Sequence, residues 1–199
     1  MIANLVLNGD ICFNQFDKNN FTMCADGGYN AVRANGFNVD CVVGDMDSIN
    51  ITNDCKESIR LNPEKDFTDG EFALQMLLDK GFKKINIFGV EGGRLDHVLT
   101  NLDILSKAIA YDVEVVCRCA NYNIFVTNKT FAKKCVVGKT ISVVPFLTDV
   151  HIISTQGLYY PVKNNWIKKG ASLGISNVVT EQNVEIKIDE GNMLVFELF

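Results

Sequence analysis

The stretch VVGDMDSI (residues 42–49) places a glycine and two aspartates directly after a short apolar run. The same pattern recurs where the apolar run 2–7 ends at Asn-Gly-Asp (8–10) and where the run 21–25 ends at Asp-Gly-Gly (26–28). Helical patterns separate these runs, and strands alternating with helices are typical of a mainly parallel sheet with helices on both faces. The sequence therefore predicts an open α/β fold for the first part of the chain.

Capping and periodicity mark the helices of this part. Residues 68–71 (Thr-Asp-Gly-Glu) have the spacing of a capping box, and apolar residues follow them at helical intervals. A second apolar stripe predicts a helix over 95–109. The runs 85–88 and 113–116 add strands to the sheet, with 123–126 as a further candidate.

The pattern changes in the last third of the chain. Residues 184–189 alternate strictly between apolar and polar, which is the period of a strand with one buried face. Glu-Gly-Asn at 190–192 predicts a turn before a final strand, and no strong helical pattern occurs. We therefore expect two domains, an α/β domain over 1–128 and a small antiparallel β domain over 129–199 that begins with a linker up to about residue 134.

The composition narrows the possible functions. Hydrophobic residues make up 47% and charged residues 22% of the 199 residues, which is ordinary for a globular protein. The net charge of -5 and the lack of a Lys/Arg cluster disfavour a nucleic-acid-binding protein. Seven cysteines, an odd number without a CxxC pair, indicate reduced thiols in apolar surroundings. No signal-peptide pattern or membrane-length apolar segment is evident, so we expect a cytoplasmic protein.

Several aspartates fall where predicted strands end or predicted helices begin. They are Asp26, Asp45, Asp47, Asp66, Asp69 and Asp96. Each alone is readily explained as a turn or cap residue, but ligands of open α/β sheets bind at the carboxyl ends of the strands. Carboxylates that converge there repel one another unless a cation joins them, and oxygen ligands suit Mg²⁺ together with substrate phosphates. If 45–47 is extended, its two carboxylates point to the same side and can share one ion.

Glycine-rich turns supply candidate phosphate sites. Gly27 and Gly28 lie between a strand and a helix, where backbone N–H groups can face a phosphate. Arg94 follows a Gly-Gly pair and can donate a forked pair of hydrogen bonds to phosphate oxygens. His97 either contacts a phosphate or bonds within its own loop. P-loop and dinucleotide fingerprints are absent. The carboxylates and the glycine-rich turns together favour Mg-nucleotide chemistry performed by carboxylates.

Six motifs in this chain resemble those of the thiamine pyrophosphokinase family. The motifs are CADGGYNAV (24–32), VVGDMDSI (42–49), EKDFTDGEFAL (64–74), GVEGGRLDHVLTNL (89–102), GLYYPV (157–162) and LGISN (173–177). The resemblance covers nearly the whole chain and implies an N-terminal α/β domain for ATP and a C-terminal β-sandwich for thiamine and dimerisation. It also implies a homodimer that transfers a diphosphate from ATP to the thiamine hydroxyl and releases AMP.

The resemblance also implies roles for individual residues. Asp45, Asp47 and Asp69 would hold or orient Mg²⁺ with Asp26 close by, and Asp69 or Asp96 would accept the hydroxyl proton. The residues that would surround ATP and its phosphates are Asp26, Gly27, Gly28, Asp66, Thr68, Arg94, His97 and Asn101. Ser176 and Asn177 would contact thiamine in the site of the other subunit of the homodimer.

Two alternative functions remain open at this point. One is an Mg-dependent diphosphokinase that acts on a different small alcohol such as a pterin, although the C-terminal motifs favour thiamine. The other is a nucleotide- or thiamine-binding regulator without catalysis, which would not need so many carboxylates.

Overall fold

The computed structural model describes residues 1–47, 49 and 55–199. Ser48, the seventh residue of the VVGDMDSI motif, lies outside the described residues. The chain divides into two compact units, Met1–Ala120 and Asn121–Phe199. Each unit has its own architecture.

The first unit contains a parallel sheet, which confirms the α/β prediction. Its strands are β1 (Ile2–Val6), β2 (Phe21–Ala25), β3 (Cys41–Gly44), β4 (Glu57–Arg60), β5 (Lys84–Phe88) and β6 (Glu114–Arg118). They lie in the order β6-β5-β1-β2-β3-β4, and each neighbouring pair is parallel. Strand β4 was missed by the sequence analysis because its residues, Glu-Ser-Ile-Arg, are mostly exposed and form no apolar run.

The helices of this unit follow the strands as expected, with one exception. They are α1 (Gly28–Ala34), α2 (Asp69–Asp79), α3 (Leu95–Asp103) and α4 (Ser106–Ala110). The single helix predicted over 95–109 is wrong, because the chain breaks between α3 and α4. There Leu105 N–H bonds to the carbonyl three residues earlier, and the Ser106 hydroxyl donates to the Asp103 carbonyl at 2.7 Å. Such short-range bonds replace the regular α-helical ladder.

The second unit is antiparallel throughout its paired strands. They are β7 (Tyr122–Thr127), β8 (Phe131–Lys134), β9 (Thr140–Gln156), β10 (Lys163–Ile167), β11 (Asn177–Val178) and β12 (Asn183–Leu198). The order is β10-β9-β12-β7, with β11 paired to β9 and β8 paired to β12. Ile141 and Ile152 from the two halves of β9 pack in one buried cluster with Ile186 and Met193 from the two halves of β12. The long strands therefore bend around a shared core, as in a sandwich.

Two local predictions for this region are wrong, and one is confirmed. The segment 190–192 is not a turn between strands but part of β12, at a series of register shifts. Gly191 has φ of 89°, and a Cβ there would come within 2.1 Å of the Asp149 carbonyl, so the bulge requires glycine. The candidate strand 123–126 is confirmed as β7, which pairs antiparallel with β12, whereas the predicted linker is wrong because it contains β8.

Candidate active site

A cavity of about 540 Å³ opens in the first unit where β1, β2 and β5 end. This is the edge of an open α/β sheet at which ligands bind. The lining residues are Leu7, Asn8, Gly9, Ala25, Asp26, Pro63, Lys65, Phe67, Thr68, Asp69, Gly70, Gly89, Gly92, Gly93, Arg94, His97 and Asn101. The structure thus brings together six of the predicted site residues, namely Asp26, Thr68, Asp69, Arg94, His97 and Asn101.

The glycines at the start of α1 allow close packing beside the cavity. A Cβ on Gly28 would lie 2.5 Å from the Val6 carbonyl oxygen, and one on Gly27 would lie 2.5 Å from the Asn8 side-chain oxygen. These contacts let α1 begin directly against the end of β1. Gly27 and Gly28 do not line the cavity, whereas Asn8 and Gly9, which the sequence analysis treated only as a strand end, do.

Asp26 carries a buried carboxylate oxygen at the end of β2. Its backbone adopts a positive φ of 46°, and its N–H donates to the Val43 carbonyl at 2.8 Å. Within the described residues, Asp26 Oδ1 is buried and accepts no hydrogen bond. Burial raises the pKa of this carboxyl above its ordinary value, and the charges of Asp45 and Asp69 raise it further. An unsatisfied buried oxygen among like charges is an arrangement that a cation would stabilise.

Asp69 and Lys65 form an ion pair among the residues that line the cavity. Thr68 caps α2 by accepting the Glu71 N–H at 3.1 Å, which confirms the predicted start of the helix and places Asp69 as the first helical residue. The Lys65 ammonium lies 3.1 Å from Asp69 Oδ1, and these side chains are only 11% and 21% exposed. Asp69 Oδ1 accepts no hydrogen bond within the described part of the chain, so the contact with Lys65 is electrostatic. Lys65 lies in the 64–74 motif and four residues before Asp69, but the sequence analysis gave it no role.

The geometry predicted for the 45–47 stretch is wrong. Met46 has φ of 67°, so the stretch is not extended, and the Asp47 N–H instead donates to Asp45 Oδ1 at 3.0 Å. Asp47 is exposed, and its Oδ1 lies 4.0 Å from the Arg60 guanidinium. Neither aspartate lines the cavity, but the charge of Asp45 acts on Asp26.

The start of α3 presents a cation to the cavity. Arg94 is the N-cap residue of α3, and its guanidinium donates to both carboxylate oxygens of Asp96, at 3.1 and 2.5 Å. This forked contact holds the pKa of the Asp96 carboxyl below its ordinary value. Asn101 donates its side-chain amide to the Val90 carbonyl at 3.2 Å. Asp66 and Asp96 are exposed and do not line the cavity.

The cavity's oxygen atoms fit a hard divalent cation. Among the described residues, no three His, Cys, Asp or Glu side chains converge in a way that could hold a metal ion. Mg²⁺, however, is usually bound through one or two carboxylates together with waters and substrate phosphates. Asp26 and Asp69, each with a buried oxygen that accepts no hydrogen bond, supply such a partial set.

The predicted thiamine residues lie in the second unit and differ in accessibility. Asn177 is buried, accepts the N–H groups of Tyr160 and Val178, and donates its amide to the Tyr160 carbonyl at 2.7 Å. Ser176 is exposed in a positive-φ conformation of 58°, with its N–H bonded to the Ser142 hydroxyl at 2.9 Å. Asn177 therefore stabilises the loop that carries Tyr160 through hydrogen bonds, whereas the Ser176 side chain is accessible.

Comparisons with known proteins agree with these two units. The family model "Thiamin pyrophosphokinase, catalytic domain" matches residues 13–117, and the model "Thiamin pyrophosphokinase, vitamin B1 binding domain" matches residues 128–193. Among the described residues, no helix is long and apolar enough to cross a membrane.

Individual proteins show the same similarity. The thiamine pyrophosphokinase of Bacillus subtilis is 31% identical over 134 residues, which cover 66% of this chain and 63% of that protein. Thiamin pyrophosphokinase 1 of Caenorhabditis elegans is 24% identical over 205 residues, covering 93% of this chain and 82% of that protein. The crystal structure of the B. subtilis protein superposes with a TM-score of 0.90 at 24% identity over 100% of this chain and 99% of that chain, so the fold is shared. The Geobacillus thermodenitrificans structure gives 0.87 at 24% identity, with coverage of 100% and 98%.

Proposed function

Because this chain belongs to the thiamin pyrophosphokinase family, we propose that it transfers a diphosphate group from ATP to the hydroxyl of thiamine. The hydroxyl oxygen attacks the β-phosphorus, the bond from that phosphorus to the α–β bridging oxygen breaks, and AMP leaves. The products are thiamine diphosphate and AMP. In such transfers the protein contributes mainly positioning and charge stabilisation.

One observation carries this proposal: the cavity at the strand ends combines two carboxylates, each with one buried oxygen, with two cationic side chains. Asp26 and Asp69 line one part of it, and Lys65 and Arg94 bring positive charge to the same space. The carboxylates suit a divalent cation, and the cations suit phosphate oxygens. A volume of about 540 Å³ is within the range of sites for small ligands.

The carboxylates have proposed roles in binding Mg²⁺. We assign Asp69 as a ligand together with Asp45 and Asp47 from the end of β3, and the buried oxygen of Asp26 supports a contribution from this residue as well. When bound there, Mg²⁺ would neutralise phosphate charge. Thr68, Arg94, His97 and Asn101 would position the nucleotide, with Asp66 in the loop before α2. Of the two proposed proton acceptors, Asp69 lines the cavity, whereas the Asp96 carboxylate is bonded to Arg94.

Thiamine recognition is assigned to the second domain, taken as 129–199, and nucleotide chemistry to 1–128. The accessible Ser176 supports direct contact with thiamine, and Asn177 supports the same surface through the Tyr160 loop. We further propose that the chain forms a homodimer in which the second domain of each subunit completes the site of the other. The exposed Leu95 and Leu99 on α3 support burial of this helix in an assembly. We place the enzyme in the cytoplasm, where its predominantly buried thiols would stay reduced.

The test is to incubate the purified chain with ATP, Mg²⁺ and thiamine and to separate the nucleotides and thiamine species. AMP should form in step with thiamine diphosphate, and a chelator should stop both. Asp69→Asn should lower turnover at least about 100-fold, which is the size of a lost charge-stabilising group. Asp103→Asn, which changes an exposed carboxylate outside the cavity, is the matched control and should leave turnover unchanged.

Other product patterns would contradict the proposal and support a different function. ADP with thiamine monophosphate would make the chain an ordinary kinase. Diphosphate transfer to a pterin alcohol but not to thiamine would identify a related diphosphokinase. Binding of ATP and thiamine without any product would identify a regulator.

A further inference from the structure

Lys65 is a cationic side chain in the cavity to which neither the motifs nor the reaction assign a role. Its ammonium lies 3.1 Å from Asp69 Oδ1 and its side chain is 11% exposed, in contrast to Arg94, whose side chain is 73% exposed. Its charge also lowers the pKa of Asp26 and so opposes the effect of burial. Lys65 therefore acts on both of the carboxylates, Asp26 and Asp69, that have a buried oxygen without a hydrogen bond among the described residues.

The neighbouring residues keep Lys65 close to these carboxylates. Thr68 caps α2, and the ring of Phe67 stacks on Phe72 of the same helix with centroids 5.5 Å apart and planes 19° apart. These contacts tie the loop to the start of α2 and leave the long lysine side chain as the part that can move. A change in Lys65's partner then needs only side-chain rotation.

A divalent cation and the Lys65 ammonium compete for the same oxygens. In the ligand-free protein the ammonium offsets the repulsion among Asp26, Asp45 and Asp69. Because two cations bound to one buried carboxylate repel each other strongly, a divalent ion at Asp69 weakens the hold of Lys65. A displaced ammonium in this cavity is then available to phosphate oxygens, for which lysine acts as a point charge.

We propose that Lys65 is the internal counter-ion of the ligand-free site. A divalent cation displaces its ammonium from Asp69, and the freed ammonium then binds the phosphate groups beside that cation. The first step depends only on the described cavity, whereas the phosphate step rests on the proposed function. Lys65 thereby keeps the acidic cavity assembled before the substrates arrive and contributes charge to the transferred group afterwards.

The test measures Mn²⁺ binding to the unaltered chain and to its variants in the absence of nucleotide. Binding is read from the electron spin resonance signal of the free ion. Lys65→Met removes the charge but keeps the side-chain length, and it should bind Mn²⁺ about fivefold more tightly because the competing cation is gone. Lys65→Arg keeps the charge and should bind like the unaltered chain. Lys107→Met is the matched control, since Lys107 pairs with Glu71 of the same helix at 3.3 Å outside the cavity, and its Mn²⁺ affinity should not change.

Turnover and Mn²⁺ affinity should move in opposite directions. With ATP and thiamine, Lys65→Met should lower kcat about 100-fold while its Mn²⁺ affinity rises. If Lys65 were needed only for folding, its replacement would lower both kcat and Mn²⁺ affinity. Unchanged or weaker Mn²⁺ binding in Lys65→Met would overturn the proposal. So would a failure of the unaltered chain to bind Mn²⁺. If Mn²⁺ binding tightens as expected but the unaltered chain has no diphosphate-transfer activity, the counter-ion role stands and the proposed function fails.

A second measurement needs no variant and covers the case in which Lys65→Met does not fold. Reductive methylation of the unaltered chain, read by mass spectrometry of the peptide that contains Lys65, reports how accessible the amine is. Lys65 should react slowly alone, at least about threefold faster with Mn²⁺, and slowly again with Mn²⁺ and inorganic pyrophosphate. A labelling rate that Mn²⁺ does not change would show that the ion leaves the Lys65–Asp69 pair in place, which contradicts the proposal.

Discussion

Replacing Asp26 with asparagine should make the ligand-free protein more stable at neutral pH. Asp26 Oδ1 is buried without a hydrogen-bond partner among the described residues, and burial together with Asp45 and Asp69 raises the pKa of the carboxyl. A buried polar group without partners costs about 1–3 kcal/mol. Because Asp26 is only half-buried and its carboxylate bonds to the Gly27 N–H, we take the low end, about 1 kcal/mol after solvent screening.

The effect of Asp26→Asn should depend on pH in a defined direction. A carboxyl whose pKa is raised in the folded state favours folding when it is protonated. This contribution to stability is fully present below the unfolded-state pKa of 3.8, and it is lost as the pH rises through the folded-state pKa. The gain from asparagine should therefore be largest at neutral pH and disappear toward about pH 3. Turnover should fall at all pH values, since the variant lacks a carboxylate of the proposed cation site.

The measurement is thermal and urea unfolding of the metal-free chain, with the apparent Tm expected to rise by about 2–4 °C. Asp40→Asn is the matched control, because Asp40 accepts the Thr22 N–H at 2.8 Å and the Lys56 ammonium at 2.6 Å. Loss of those satisfied contacts should lower stability by about 1–2 kcal/mol. Destabilisation of similar size in both variants would refute the claim that the Asp26 carboxylate is only partly compensated in the ligand-free state.

Three further outcomes test other parts of the structure. Gly28→Ala should lower the free energy of unfolding by about 2 kcal/mol, because its Cβ would meet the Val6 carbonyl at 2.5 Å; a change below about 0.5 kcal/mol in urea titrations would contradict this close approach. Asn177→Ala should lower the free energy of unfolding by about 2–3 kcal/mol, because it leaves the Tyr160 and Val178 backbone groups unpaired. Ser176 is exposed, so Ser176→Ala should change stability little and instead raise KM for thiamine. Arg94→Ala should raise KM for ATP about tenfold in steady-state assays, and Arg94→Lys should raise it less. If KM for ATP is the same in Arg94→Ala and in the unaltered chain, Arg94 does not bind phosphate.

Much of the first unit could be predicted because its signals are local. Apolar runs that end in Gly and Asp identified β1, β2 and β3, and the spacing of Thr68 and Glu71 identified the start of α2. Strand β4 could not be found in this way, since hydrogen bonds to β3 hold its exposed polar residues in the sheet. The break after α3 likewise depends on short-range bonds that the apolar stripe does not reveal.

The candidate site was predictable in its residue types but not in its pairings. The alternating pattern predicts parallel strands, which end on the same side, and so directs Asp26 at the end of β2 and Asp69 at the start of α2 to one edge of the sheet. The order of the strands was decided only by the folded structure. The pairing of Lys65 with Asp69 is set by the loop before α2, and the positive φ of Met46 turns the 45–47 stretch away from the extended form.

By itself, the sequence determined the α/β class and the change to antiparallel strands, since these depend on periodicity along the chain, and its motifs showed the resemblance to the family. Only the tertiary structure decided which carboxylate oxygens are buried without partners, and that Asn177 supports a loop from within while Ser176 stays exposed. The physical reason is that burial and hydrogen bonding depend on groups distant in sequence, such as Asp26 and Asp69, whose separation is known only once the chain has folded.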